Sequence, residues 1–322
     1  MAVPQSGQRV ATAWESYVGT TPEDNIHETY FLLDKMQKGG GTKGVDGGRS
    51  VNAMLEYALN PNVAWQGETD TVGTVVPDII DEAIWQWKIL GASVAHTEFE
   101  KAINAGGGRK TDLLAAKMEN MNGSIDNALN AMLFGTASGN VPGGLTDIVS
   151  VTPGTGSPGG INRLTFTFWR NVQVTGTKTT TAYDNLRATI FSAYNTASAG
   201  MLGKRPKIAV TTQTVFQGYH SLLVANERYI REGSSDKGIS GFTPGSLMAI
   251  DMEMNYDADC GAGLLYLLNF EFFKIAYPKG FWKKGYPAVD PANQFADVFK
   301  QLTICTPYTN NARKLAVVSA IT

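Results

Sequence analysis

The chain has 322 residues, a formal net charge of −2 and 17% charged side chains. That balance argues against a polyanion-binding protein, and the low charge with 35 glycines suits extended strands, long loops and a surface partly covered by neighbours. No run of about 20 apolar residues occurs, the start MAVPQSGQRVATAW lacks signal-peptide regions, and Cys260 and Cys305 stand in unrelated contexts; no membrane contact, disulfide framework or zinc site is expected, and a cytosol-like compartment is.

Residues 1–20 show no period. Thr21-Pro22-Glu23-Asp24 then reads as a helix start, with Ile26, Tyr30, Leu33 and Met36 on one apolar face. The run GGGTKGVDGG, with Gly39, Gly40, Gly41, Gly47 and Gly48, is predicted to interrupt regular structure and to act as a hinge. An arm of this composition buries little alone and needs a partner. From Arg49 to Ile103 the pattern turns to strands. RSVNAMLEYAL and IWQWKILGASVAH are expected to pair as a long hairpin, with VAWQGETDTVGTVV as a further strand between them. Trp65, Trp85 and Trp87 are predicted to be packing residues, because each ring buries a large area.

AGGGRKTDLL raises the question of a phosphate loop. Lys110-Thr111 supplies the cationic and hydroxyl pair, but Asn104 and Arg109 occupy the two obligatory glycine positions, so Gly106, Gly107 and Gly108 are out of register. They are read instead as a flexible joint before a helix. That helix spans 111–134. Thr111 is its N-cap, Gly135 is predicted to take the left-handed position past its end, and Leu114, Met118, Met121, Ile125, Leu129 and Met132 form one stripe. The opposite face carries Asn120, Asn122, Asn127 and Asn130 where solvated helices usually carry charge, which suits contact with other protein.

Strand and helix then alternate from about 141 to 263: a helix over 183–199, the strand KIAVTT, the helix TVFQGYHSLLVANERYI and the strand SLMAIDMEM. The remainder, GLLYLLNFEFFKIAYP and QFADVFKQLTICTPYTNNARKLAVVSAIT, is strand-rich, and these two pieces are expected to pair beside the long helix.

No catalytic, cofactor-binding or metal-ligating residue is nominated. His27, His96 and His220 lack ligand spacing. NYDADCGAG offers Asn255, Asp257 and Asp259 at the alternation of a calcium loop, yet Cys260 replaces its turn glycine and Tyr266 its bidentate glutamate, so a polar turn is expected. GTGSPG has Thr155 at the first glycine of a nucleophile elbow around Ser157 and reads as a loop. KGFWKKGYP joins Lys279, Lys283 and Lys284 with Phe281, Trp282 and Tyr286, a mixture able to meet nucleic acid, although one patch on a slightly acidic chain favours a solvated strand connection.

The segments GGRSVNAMLEYALNPNVAWQGETDTV, WQWKILGASVA, EFEKAINAGGG, GGINRLTFTFWRN and LTICTPYTNNARKLAVVSAIT resemble those of the major capsid proteins of tailed bacteriophages. The resemblance runs from about Gly47 onward and is most specific at Ile161, Arg163, Phe168, Trp169, Arg170 and Asn171. It implies an α+β, Hong Kong 97-like capsid fold and no enzymatic activity. Residues 1–46 would be an N-terminal arm, and 47–93 an extended β-hairpin loop reaching a neighbouring subunit through Arg49, Tyr57 and Trp65. Residues 94–140 would form a peripheral domain with the spine helix, 141–263 an axial domain, and 264–322 C-terminal strands returning to the peripheral domain. It further implies hexamers and pentamers of the chain itself, a portal protein at one vertex, a separate scaffolding protein, a decoration protein and non-specific contact with packaged double-stranded DNA. Assembly would take place in the bacterial host cytoplasm and leave the protein in the virion capsid. An encapsulin-type cellular shell and a nucleotide-dependent enzyme are the alternatives.

Overall fold

The computed structural model describes residues 30–103, 113–176, 186–199, 204–227, 252–291 and 293–321. Its first element is helix α1, Phe31–Lys38, whose Phe31, Leu32, Leu33 and Met36 are buried. Asp34 and Lys38 pair one turn apart at 2.6 Å, and Lys35 reaches Glu253 at 2.7 Å. The start expected at Thr21, with Ile26, lies outside the described residues. The glycine run that follows does not break all structure. Gly40 turns the chain at φ +76°, and Thr42–Val45 forms strand β1, parallel to β9, Phe273–Pro278. The described end of the arm is thus docked on its own chain rather than awaiting a partner, because four apolar side chains of α1 find room in the main core.

Strands β2, Ser50–Glu56, and β3, Ile80–Gln86, pair antiparallel from Ser50↔Gln86 to Glu56↔Ile80. Period-2 alternation puts Val51, Ala53, Leu55, Ala83 and Trp85 on a buried face and Asn52, Met54, Glu56, Ile80, Glu82 and Ile84 on the face with exposed positions. Residues 57–79 contain no strand, contrary to the expectation for VAWQGETDTVGTVV. The expected long return strand is also divided. At Trp87, whose indole N–H donates to Gly48 O at 2.9 Å, the chain leaves the hairpin and enters β4, Lys88–Thr97, which runs on into the short helix α2, Glu98–Ile103.

β4 pairs with the first ten residues of β11, Ala296–Thr309, and the last four pair with β9. On the other side of β11 runs β10, Lys284–Val289. Against this five-stranded sheet lies α3, Leu113–Phe134. Its 22 residues make a rod of about 33 Å. Met121, Ile125, Leu129 and Met132 are buried as the stripe requires, whereas Leu114 and Met118, nearer the start, are half-buried. Thr111 lies outside the described residues. Gly135 is not left-handed: its N–H returns to Met132 O at 3.2 Å, and Gly144 N–H then donates to Gly135 O at 3.1 Å. Gly144 is needed for this close return, since a Cβ there would lie 2.3 Å from the carbonyl oxygens of Met132 and Leu133.

The second sheet has the order β5-β12-β8-β6-β7, with β5 Val172–Thr175, β12 Ala316–Ser319, β8 Leu265–Leu268, β6 Ile208–Thr211 and β7 Glu253–Tyr256. It separates two cores. Ile208, Val210, Tyr266, Leu268 and Val317 face the core that holds α1 and α3, while Ala209, Leu265, Leu267, Ala316 and Val318 face the one built on α5, Leu186–Ser198, and α6, Gln213–Glu227. Burial on both faces explains why these strands are nearly continuous apolar runs. The 264–322 segment therefore does not return as one piece: β9 to β11 join the first sheet, but β8 and β12 complete the second. The expected pairing of the two C-terminal pieces is seen twice, β9 with β11 and β8 with β12, but the pattern did not reveal β5, about 140 residues earlier, as the other neighbour of β12.

Candidate functional site

Two regions of special chemistry emerge, one inside and one on the surface. The inner one is built from the unusual string Gly159–Asn171. Arg163 is fully buried, and its guanidinium donates to Trp169 O at 3.2 Å, to Asp147 O at 3.0 Å and to Ile148 O. The last two carbonyls end the short helix α4, Leu145–Ile148, where a cation is favoured. Burial lowers the Arg163 pKa to about 10, against the pull of Asp147, so the group stays charged at neutral pH. Trp169 is buried and donates its indole N–H to Pro158 O at 2.8 Å; Arg170 donates back to Arg163 O at 2.8 Å, and Asn171 to Ser150 O at 2.9 Å. Ile161 is buried in the main core, and Phe168 stacks on Tyr57 with ring centroids 5.5 Å apart. Gly159, at φ +65°, lets the hairpin close down on this turn: a Cβ would lie 2.9 Å from Ala83 and 3.0 Å from the Trp85 ring. The six motif residues form a strut between the hairpin base and the body.

A polar brace ties α1 to α3 and to the second sheet. Helix α1 has no side-chain cap from Tyr30; instead Asp257, buried on the loop after β7, accepts the Leu32 N–H at 3.3 Å and the Asn130 side-chain amide at 2.7 Å. The same amide reaches Asp259 at 2.8 Å. Burial raises the Asp257 pKa, opposed by hydrogen bonds from Asn130, Leu32 and the Asp259 backbone, and reinforced by the Asp259 charge. The calcium-like alternation is thus a structural turn. Asn130, placed on the polar helix face by sequence, is fully buried, while Asn120, Asn122 and Asn127 are exposed.

The other rejected motifs are also placed. A cleft of about 560 Å³ is lined by Trp85, Gly139, Asp147, Ser157 and Gly159, with no histidine among the described residues on its walls. His96 is buried on β4 and His220 is exposed on α6; His27 and Gly106 to Gly108 lie outside the described residues. Burial pushes the thiols of Cys260 and Cys305 up to about 12, which makes them poor nucleophiles.

The surface region is the hairpin itself. Trp65 is 104% exposed, so it is not a packing residue in the single chain. With it stand Leu59, Val63, Val72, Val75 and Val76 in the loop and Met54, Ile80 and Ile84 on the outer strand face. Exposed apolar residues so concentrated mark an interaction surface. The loop is nevertheless ordered: Asn62 exchanges two hydrogen bonds with the Val75 backbone, at 2.6 and 3.2 Å. Arg49 is exposed beside Gly47 and Gly48, whose φ of +106° and +117° set the hairpin's departure from β1, whereas Tyr57 is held within the chain by Phe168. Of the KGFWKKGYP patch, Lys279 pairs with Asp46 at 2.5 Å, Lys283 with Asp126 of α3 at 2.6 Å, and Lys284 lies over the rings of Phe281 and Tyr286. Trp282 packs on Tyr277.

This arrangement of arm, extended hairpin, long helix across one sheet and a second helix-flanked sheet is that of the Hong Kong 97-like capsid fold. Solved structures that share it include those of phage and GTA capsids and of an encapsulin. The capsid protein of Cyanophage A-1(L) superposes with a TM-score of 0.72 at 14% identity, over 95% of this chain and 96% of that one. The capsid of a native GTA particle gives 0.62 at 10%, over 95% and 94%. The holo-SrpI encapsulin of Synechococcus elongatus gives 0.58 at 10%, over 99% and 96%. No family model and no curated protein matches the sequence, so the kinship is one of fold.

Proposed function

We propose that the protein is a major capsid subunit that assembles into hexamers and pentamers of an icosahedral shell enclosing the double-stranded DNA of a tailed phage, and that it is not an enzyme. The observation that carries this reading is the hairpin: a strutted, ordered projection whose apolar side chains point to solvent in the single chain. Such a surface marks a contact that another copy would cover, and many modest contacts summed over a closed shell make dissociation slow. In this reading the first sheet with α3 is the peripheral unit and the second sheet with α5 and α6 the axial one. Gly47, Gly48 and Gly106 to Gly108 act as hinges between pentamer and hexamer geometries. A separate scaffolding protein, a portal, a decoration protein and packaged DNA are the further partners, in the host cytoplasm and then in the virion.

The likeness to an encapsulin gives a second reading, a cellular shell around enzyme cargo. Electron microscopy of purified particles separates the two, since nuclease-protected DNA supports the capsid and a protein cargo the encapsulin. Because α1 belongs to the core, an arm deletion must stop before residue 30. Deleting residues 2–29 is expected to leave a soluble chain that forms no stable shells, and normal particles from it would remove the arm from the account.

A further inference from the structure

A cavity of about 380 Å³ lies where β5, the end of α5 and the turn before β12 meet, and Arg170, Arg313 and Lys314 line it together with Thr196 and Asn311. No Asp or Glu is among its lining residues. Cations gathered around one hollow repel each other unless a negative group lies between them. Among the described residues, none of the three is paired with a carboxylate.

Lys314 is the telling member, because it is only 6% exposed and a buried ammonium normally has a carboxylate beside it. Here its Nζ donates to Ala199 O at 2.5 Å, just past the C-terminal end of α5, where a cation is favoured. That bond uses one of its three donors. Burial holds its pKa below the ordinary lysine value, and the neighbouring charge that adds to the effect is another cation, Arg313. Arg170 has a similar surplus: Nε and Nη2 donate to Arg163 O at 2.8 Å and Leu164 O at 3.1 Å, which fixes the guanidinium and leaves Nη1 unused among the described residues. Arg313 is exposed, and neither its guanidinium nor the side-chain amide of Asn311 makes a hydrogen bond with a described residue.

We propose that this cavity binds a phosphate group, either free phosphate or one phosphodiester of a nucleic acid. Arg170 and Lys314 are the donors held in place by the fold, and Arg313 closes on the anion from the solvent side. A carboxylate would bring two oxygens and a single charge to donors from three cations and an amide, whereas a phosphate brings more oxygens and suits guanidinium forks. The net charge of −2 argues against a polyanion-binding surface but not against one such pocket. The inference concerns the single chain and stands whether or not that chain builds shells.

Calorimetric titration of the full-length chain with inorganic phosphate at low salt tests it. The parent should show saturable binding at one site with a Kd of about 1 mM or tighter. Arg313→Gln removes an exposed side chain that holds nothing in the fold, so it should unfold at the parent's temperature in phosphate-free buffer and bind about tenfold more weakly. Arg313→Lys keeps the charge and should recover part of that loss. Lys314→Met should abolish binding; if it fails to fold, the two Arg313 variants still decide. The isotherm is the criterion rather than thermal stabilisation, since phosphate also stabilises folded chains by exclusion from their surface. A short thymidine oligonucleotide added as competitor identifies the source: displacement of phosphate points to a phosphodiester, and no displacement to free phosphate. Absence of saturable binding by the parent, or an affinity in Arg313→Gln or Lys314→Met equal to the parent's, overturns the proposal.

Discussion

Trp85 and Trp65 lie on the same hairpin and have opposite fates. At the base, Trp85 is buried against the Gly159 turn, and that turn is held by a guanidinium whose donors are taken up by backbone carbonyls. At the tip, Trp65 has no cover at all, although the loop around it is pinned by Asn62. The contrast separates two uses of costly residues. Those in the strut hold the projection in place, and those at the tip, on the proposed function, contribute when a second copy covers them.

The largest effect is expected in the strut. Arg163→Met would leave three carbonyls, two of them buried, without the guanidinium donor and should cost about 3–5 kcal/mol, measured by urea unfolding. A cost below about 1 kcal/mol would show that water replaces the guanidinium. Trp85→Ala should cost about 3–5 kcal/mol in the same assay, as a large buried ring is removed. Asp257 gives a pH test. Its native carboxyl holds the proton more tightly than an ordinary Asp, so its contribution to stability is full below the ordinary Asp range and declines as pH rises through the raised value. On acidification from pH 7, the parent should therefore gain stability relative to Asp257→Asn. Parallel pH profiles of the two would contradict the assignment. The smallest effect on folding is expected for Trp65→Ala, within about 0.5 kcal/mol, together with a marked loss of particles. If it destabilised the monomer, the tip would belong to the strut's class.

Legibility in the sequence follows the range of the interactions. The stripe of α3 and the alternation of β2 are local, and both appear as read from Met121 to Met132 and from Val51 to Leu55. The burial of Asn130 was not legible, because its partners are Asp257 and Asp259, 127 and 129 residues away. Nor was the division of the C-terminal strands between two sheets, since KLAVVS shows strand character but not its distant neighbour at Gln173. Composition misled at GGGTKGVDGG, where Thr42–Val45, Gly44 included, finds β9 as a template. It misled again at Trp65, where the large area of the ring suggested packing but the side chain is fully exposed. The motif residues were marked by their rarity, and their physical role as a strut became visible only with Asp147 and Ile148 beside Arg163.

The most direct test of the account is negative-stain electron microscopy of the chain expressed with its neighbouring genes, beside the Trp65→Ala variant. Closed shells of uniform size from the parent, and soluble monomers or capsomers from the variant, are the predicted result. A parent chain that stays monomeric with its neighbours present, or a variant that builds the same shells, would contradict it.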